Sequence, residues 1–156
     1  MSKERVPLYY EDLVVGHNFP CGEIVVKEAE ALSFATRYDP QPFHLDPEAG
    51  RRAGFGGVVL SGWLTAALTM RLMVTGGFLL AEGAVGVGIE SLQWPLPVHP
   101  GDMLSVAVVP ITLRVSASKP AFGIVKCRVT TTNQSWEVVQ LMTSAVLVPR
   151  RNAESA

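Results

Sequence analysis

The sequence predicts an α+β fold: a single domain in which a curved antiparallel sheet wraps a central apolar helix. Three observations predict it. The stretch 61–74, "SGWLTAALTMRLMV", has helical length and is apolar almost all the way round. After Gly83 come four long, β-branched, partly alternating segments, "AVGVGIESLQW", "MLSVAVVPITLRV", "AFGIVKCRVTTT" and "SWEVVQLMTSAVLV". No Gly/Ser linker, internal repeat or low-complexity tract divides the 156 residues, a length that suits one domain with a real core.

Taken in order, residues 1–20 read as an extended lead-in with a short turn at "YYEDL". "EIVVKEAEALSFATRY" passes from a short strand near Ile24–Val26 into a helix, whose Ala31, Leu32, Phe34 and Ala35 form an apolar stripe. Pro40 and Pro42 end that helix, because proline lacks the backbone donor and restrains the residue before it. "DPEAGRRAG" supports one or two helical turns, with Asp46 as N-cap and Pro47 in the first position. Gly54, Gly56 and Gly57 make a loop, and the apolar helix over 61–74 then spans roughly 20 Å. A helix so apolar has to be surrounded. The four later segments, separated by "PLPVHPGD", "SASKP" and "NQ", read as an antiparallel meander. The tail "PRRNAESA" is polar and expected to fray, so the ordered core is placed at about 10–148 of a 1–156 domain. Wrapping the sheet around the helix is the hot-dog arrangement. It leaves an edge strand to cover, so a dimer of side-by-side sheets is expected.

Composition narrows the function. With 48% apolar and 17% charged residues the chain is not of the disordered class. A net charge of −1 without a basic run argues against nucleic acid, while leaving a phosphorylated small ligand open. Cys21 and Cys127 stand far apart with no CxxC, which is neither a disulfide framework nor a zinc site and fits a reducing cytoplasm. "MSKERVPLYYEDL" has no long apolar core and does not read as a signal peptide. Ser61, Thr65, Thr69 and Arg71 interrupt the most apolar run, which reads as a buried helix rather than a membrane span. A cytoplasmic soluble protein is expected.

The chemistry concentrates in "YDPQPFHLD", residues 38–46. A carboxylate and an imidazole that reach one water form an acid–base pair. Pro40 and Pro42 stiffen the segment between Asp39 and His44, and Phe43 offers an apolar anchor. The same residues also suit a proline-rich connector in which Asp39 caps a turn and His44 packs. A metal site is disfavoured: His17 and His99 lie in turn-like stretches, and no HExxH exists. "VVLSGW" lacks the first glycine of a nucleophile elbow, and "GAVGVG" is followed by strand rather than by the helix a dinucleotide loop needs.

Together "YDPQPFHLD", "AGFGGVVLSGWLTAAL" and "WPLPVHPGDML" resemble the MaoC-like dehydratase family, which includes R-specific enoyl-CoA hydratases; the resemblance runs over residues 10–148. It implies a hot-dog fold and action on acyl thioesters without metal or redox cofactor, coenzyme A being part of the substrate. Asp39 and His44 fall on the family's catalytic positions. The implied reaction is hydration of a 2-enoyl thioester or dehydration of its 3-hydroxyacyl counterpart. Both residues hold one water, and their roles as base and acid are not divided. Developing charge on the thioester oxygen would be met at the start of the central helix, by Gly62 first, with Ser61 and Gly57 in the same small-residue run. Ser61 also reads as a plain N-cap, and the glycines as loop flexibility. Arg51 and Arg52, with Lys119 or Arg114, are candidate contacts for the phosphates of coenzyme A, or simply surface cations. Trp63, Leu64 and Leu68 are candidates to line the acyl group, or core. The chain departs from the family at Gln41, where Asn is common, and at Ser61, where a His precedes the glycine. The hydroxyl that hydratases place on the central helix is either replaced by Ala67 or supplied by Thr69. The competing reading is a hot-dog domain that binds acyl-CoA or a partner subunit without hydrating anything, or a thioesterase. A thioesterase would more naturally carry a carboxylate on the central helix, and residues 62–74 contain none.

Overall fold

The computed structural model describes residues 5–151. A 3₁₀ turn, Tyr10–Asp12, precedes strand β1 (Phe19–Val25), helices α1 (Glu28–Tyr38), α2 (Pro42–Leu45), α3 (Pro47–Arg52) and α4 (Gly62–Thr75), and strands β2 (Val85–Gln93), β3 (Met103–Val115), β4 (Phe122–Thr132) and β5 (Val138–Pro149). The strands form one antiparallel sheet in the order β1-β3-β4-β5-β2. The N-terminal strand is longer than the Ile24–Val26 expected, and the architecture is α+β.

The four-strand meander is corrected. Only β3, β4 and β5 follow one another; β2 pairs with β5, at the opposite side of the sheet from β1. The segment 94–102 is why. A hairpin needs a short turn, commonly of about two to five residues, whereas this connector carries three prolines and is used as a structural layer. The Leu60 N–H donates to the Val98 carbonyl at 2.7 Å, and Val98 joins Leu60, Leu64, Leu68, Leu104 and Val139 in a buried cluster beneath the start of α4. A second cluster packs Leu72 and Met73, near the other end of α4, against Val106 and Val108 of β3, Val125 and Val129 of β4, and Val146 and Val148 of β5. The buried/half-buried alternation over residues 103–110 of β3 and 140–148 of β5 is what presents those rows to α4.

The central helix is not surrounded by its own chain. Leu64, Thr65, Leu68, Thr69, Leu72 and Met73 are buried, but Trp63 (59% exposed), Met70 and Val74 face outward, because one sheet covers only one side of a helix. Strand β2 is likewise exposed at Val85, Val87 and Ile89. A buried polar network ties α4 to the sheet: the Trp94 indole N–H donates to Gln140 Oε1 (2.8 Å), Gln140 Nε2 to Thr69 Oγ1 (3.0 Å), and Thr69 shares a bond with Thr131 (2.8 Å). Arg150 and Arg151, the start of the polar tail, are tied down to the Pro120 carbonyl and to Glu11 and Asp12; residues 152–156, where fraying is expected, lie outside the described residues.

Candidate active site

Residues 38–47 fold as two helix ends in quick succession. α1 stops at Tyr38, and Asp39 takes the C-cap with its N–H on the Ala35 carbonyl at 3.0 Å. Pro42 then opens the single turn α2, where its missing N–H costs nothing, and the turn closes through the Asp46 N–H on the Pro42 carbonyl (2.9 Å). Five residues of sequence thus become a bend that turns His44 back toward Asp39. Phe43 packs edge-on against His44 and tilted against Phe55, fixing the turn to its surroundings.

His44 Nε2 lies 3.1 Å from Asp39 Oδ2. His44 Nδ1 lies 2.7 Å from the Val59 carbonyl, which can only accept, so Nδ1 carries a proton and donates it. Oδ2 also accepts from the Ser61 hydroxyl at 2.7 Å, and Oδ1 accepts from Gln41 Nε2 at 2.7 Å. Two lone pairs facing each other at 3.1 Å would repel, so a proton lies between Nε2 and Oδ2. Burial pushes the Asp39 carboxyl up, yet the bonds from Ser61 and Gln41 and the adjacent His44 outweigh it and hold the group below its ordinary value. His44 is buried, while Asp39 keeps a small opening to solvent.

His44 opens onto a cleft of about 340 Å³ whose walls include Phe43, Phe55, Leu60, Trp94, Leu96, Val98 and Val139. Gly62 and Thr65 bring α4 into the same cleft. Gly62 has to be glycine: a methyl group there would sit 2.6 Å from the Trp94 ring. The Leu64 and Thr65 N–H groups both reach back to the Ser61 carbonyl, and the Gly62 N–H has no acceptor among the described residues. A larger groove, about 580 Å³, lies against Gly76 and Gly77 at the other end of α4 and contains no acid–base pair.

The remaining expected residues fall as follows. Ser61 occupies the N-cap position of α4 but makes no side-chain cap bond; its hydroxyl is committed to Asp39. Gly57 does not line the cleft, and its carbonyl packs so closely on Gly50 of α3 that a Cβ at Gly50 would meet it at 1.8 Å. Arg51 and Arg52 are exposed at the end of α3; Arg51 is ion-paired with Glu48, while Arg52 has no carboxylate partner among the described residues. Arg114 lies at the opposite end of β3 from Leu104, roughly 33 Å away at strand rise, and Lys119 lies in the following turn. Trp63, Leu64 and Leu68 do not line the cleft: the first faces outward and the other two are core. His99 is a turn residue, with its N–H on Asp102 and Nδ1 near the Val58 carbonyl. Among the described residues no group of three or more His, Cys, Asp or Glu could hold a metal, and no helix is long and apolar enough to cross a membrane.

Three contributions went unread in the sequence. The Gln41 and Ser61 bonds to Asp39 were one, and the second is Thr65 as the helix hydroxyl in the cleft. Thr69 is fully buried in the Gln140 network and Ala67 is exposed. Spacing held the signal, because Thr65 stands three residues after Gly62 and so on the same helix face. The third is the connector 94–98 as a cleft wall, which hydropathy does not reveal.

A sheet laid against one long helix, with an Asp/His pair beside the helix start, defines a hot-dog domain of the hydratase and dehydratase type. Residues 16–133 match the family described as MaoC like domain, and the chain belongs to that family. It is 48% identical to a MaoC-like dehydratase from Rhodospirillum rubrum, with a TM-score of 0.88 over 94% of this chain and 99% of that one. The (R)-hydratase from A. caviae involved in PHA biosynthesis is 27% identical, with a TM-score of 0.73 over 89% and 99% of the two chains. The uncharacterized protein YdeM of Bacillus subtilis (strain 168) is 27% identical over 80% of this chain and 86% of its own length.

Proposed function

We propose that the protein interconverts a 2-enoyl thioester and its 3-hydroxyacyl thioester by adding or removing water, with Asp39 and His44 as the acid–base pair. The observation that carries this reading is the 3.1 Å contact between Asp39 Oδ2 and His44 Nε2, with His44 on the wall of an apolar cleft that also holds the start of α4 and Asp39 behind it, outside the cleft lining. A water in contact with both atoms gives its proton to Asp39 as its oxygen bonds to the β-carbon. The π electrons move toward the thioester oxygen, and the α-carbon takes the proton that His44 Nε2 carries. The proton on Asp39 then returns to the space between the two side chains, and one water has been consumed. The Gly62 N–H meets the charge on the thioester oxygen, reinforced by the positive end of α4. Ser61 holds Asp39 rather than the oxyanion, and Gly50 of α3 leaves room for the Gly57 carbonyl to close onto it. The exposed guanidinium groups of Arg51 and Arg52, next in sequence to the loop that carries Phe55 into the cleft wall, suit the phosphates of coenzyme A. No metal or redox cofactor enters this chemistry.

The test is loss of enoyl absorbance with crotonyl-CoA and longer or branched enoyl-CoAs. Asp39→Asn and His44→Gln should keep the fold and lose about 10²–10⁴-fold in kcat/KM, the usual worth of positioned acid–base groups. Binding of acyl-CoA without turnover would favour the binding-module reading instead.

The same reading calls for a second copy of the chain against the outward apolar face of α4 (Trp63, Met70, Val74) and the exposed strand β2. Light scattering on purified protein at micromolar concentration should give twice the chain mass, and a monomer would remove this part of the proposal.

A further inference from the structure

Threonine hydroxyls on these helices have three different fates. Thr36 on α1 and Thr75 on α4 turn back onto the carbonyl four residues earlier, Leu32 at 2.7 Å and Arg71 at 2.6 Å. Thr69 enters the buried network with Gln140 and Thr131. Thr65 does neither. It is 2% exposed, its hydroxyl has no partner among the described residues, and it lines the cleft. Its oxygen is nevertheless not among the sealed-in side-chain atoms left without a partner, so it keeps access to the open space of the cleft. An unpaired hydroxyl facing a cavity is therefore an observation that asks for a ligand atom.

The cleft tells which atom. Of its lining side chains, His44, Thr65 and the Trp94 indole alone carry a polar group, and the indole N–H is committed to Gln140. His44 belongs with Asp39 on the side where the water reacts. Thr65 belongs with Gly62: they are three residues apart on α4, roughly 4.5 Å along its axis. Side chains on a helix lean toward its N-terminus, so the Thr65 hydroxyl reaches over the turn that Gly62 opens. A ligand oxygen that accepts from the Gly62 N–H is thus within the sector that Thr65 addresses.

We propose that Thr65 is a catalytic residue: its hydroxyl donates a second hydrogen bond, beside that of the Gly62 N–H, to the thioester oxygen as charge builds on it. The assignment rests on the hydratase reading above and deepens it. One amide alone gives an oxyanion a single directed donor; the hydroxyl supplies another from a buried, prearranged position, where such a bond strengthens most in the transition state.

The experiment compares Thr65→Val, which keeps the shape and removes the donor, with Thr65→Ser, which restores it, and runs His44→Gln beside them on an enoyl-CoA that the wild type turns over. Thr65→Val should lower kcat by about ten- to a hundredfold with KM within about threefold, the pattern of a bond made in the transition state. Thr65→Ser should recover most of the rate, and neither melting temperature should fall to match. If valine does not fold, Thr65→Ala against Thr65→Ser gives the same contrast. Wild-type rates in the valine variant, or a raised KM with kcat unchanged, overturn the assignment while an inactive His44→Gln keeps the acid–base reading standing. A wild type that hydrates nothing overturns both.

Discussion

Helices α3 and α4 begin alike in sequence and differently in fact. Both are preceded by a residue of the type that caps helices, Asp46 before Pro47 and Ser61 before Gly62. The Asp46 carboxylate takes the N–H groups of Glu48 (3.1 Å) and Ala49 (3.2 Å), and α3 is a capped six-residue helix. Ser61 gives α4 no such bond. It turns its hydroxyl the other way, to Asp39 across 22 positions of sequence, and leaves the first N–H of the fourteen-residue helix unclaimed by the described residues. The short helix needs its cap, since it buries only Ala49 and Gly50. The long helix is held by its packing against the sheet and can spare one. A residue that local preference assigns to stability is thereby released for the site.

Ser61→Ala breaks the α4 side of this comparison, and its effect should be the larger. If the hydroxyl serves Asp39, the variant loses one bond to a charged acceptor, and kcat/KM should fall by about tenfold, or about 1.4 kcal/mol. Melting temperature should change little, because no cap bond is lost. The pH profile carries the sharper signature. Asp39 must be ionised to accept a proton, so activity falls as pH drops through its value, which burial raises and Ser61, Gln41 and His44 together bring below the ordinary range. Removing Ser61 lets that value rise, so the acid limb of kcat/KM should move to higher pH. An unmoved limb, together with a lowered melting temperature, would return Ser61 to the role of a plain cap.

The difference between the two helix starts also marks how far the sequence could be read. The cap of α3 was legible because an N-cap acts within three residues, and "DPE" states the whole interaction. Asp39 and His44 were legible because prolines at 40 and 42 leave the chain between them few conformations. The α4 stretch was legible through its length and near all-round hydrophobicity, and the later strands through their β-branched, partly alternating residues. What lay hidden was every feature that depends on a distant partner. The Ser61 bond to Asp39 joins separate segments. Alternation in β2 says that it is a strand and nothing of its neighbour, so its pairing with β5 went unseen. The hydropathy of α4 says that it wants cover and not what provides it, and its outward Trp63 and Met70 show its own sheet covering one side only. α2 was missed because "PFHL" is shorter than any helical period, although that turn is what aims His44.

Asp46→Ala sharpens the comparison from the other side, with a smaller effect confined to stability. Two N–H groups at the start of α3 lose their acceptor, and the cost should be about 1 kcal/mol in urea unfolding, the usual worth of an N-cap. Some loss should follow in the loop that Gly57 packs onto Gly50, since α3 forms the floor it rests on. The chemistry should be spared, because Asp46 touches neither Asp39 nor His44 by its side chain, and kcat with an enoyl-CoA should stay within about twofold. The two variants then separate cleanly: one loses rate and keeps its melting temperature, the other loses stability and keeps its rate. If Asp46→Ala lowered kcat as much as Ser61→Ala does, the end of α2 that Asp46 closes would be loosening His44, and the two helix starts would be parts of one device rather than two.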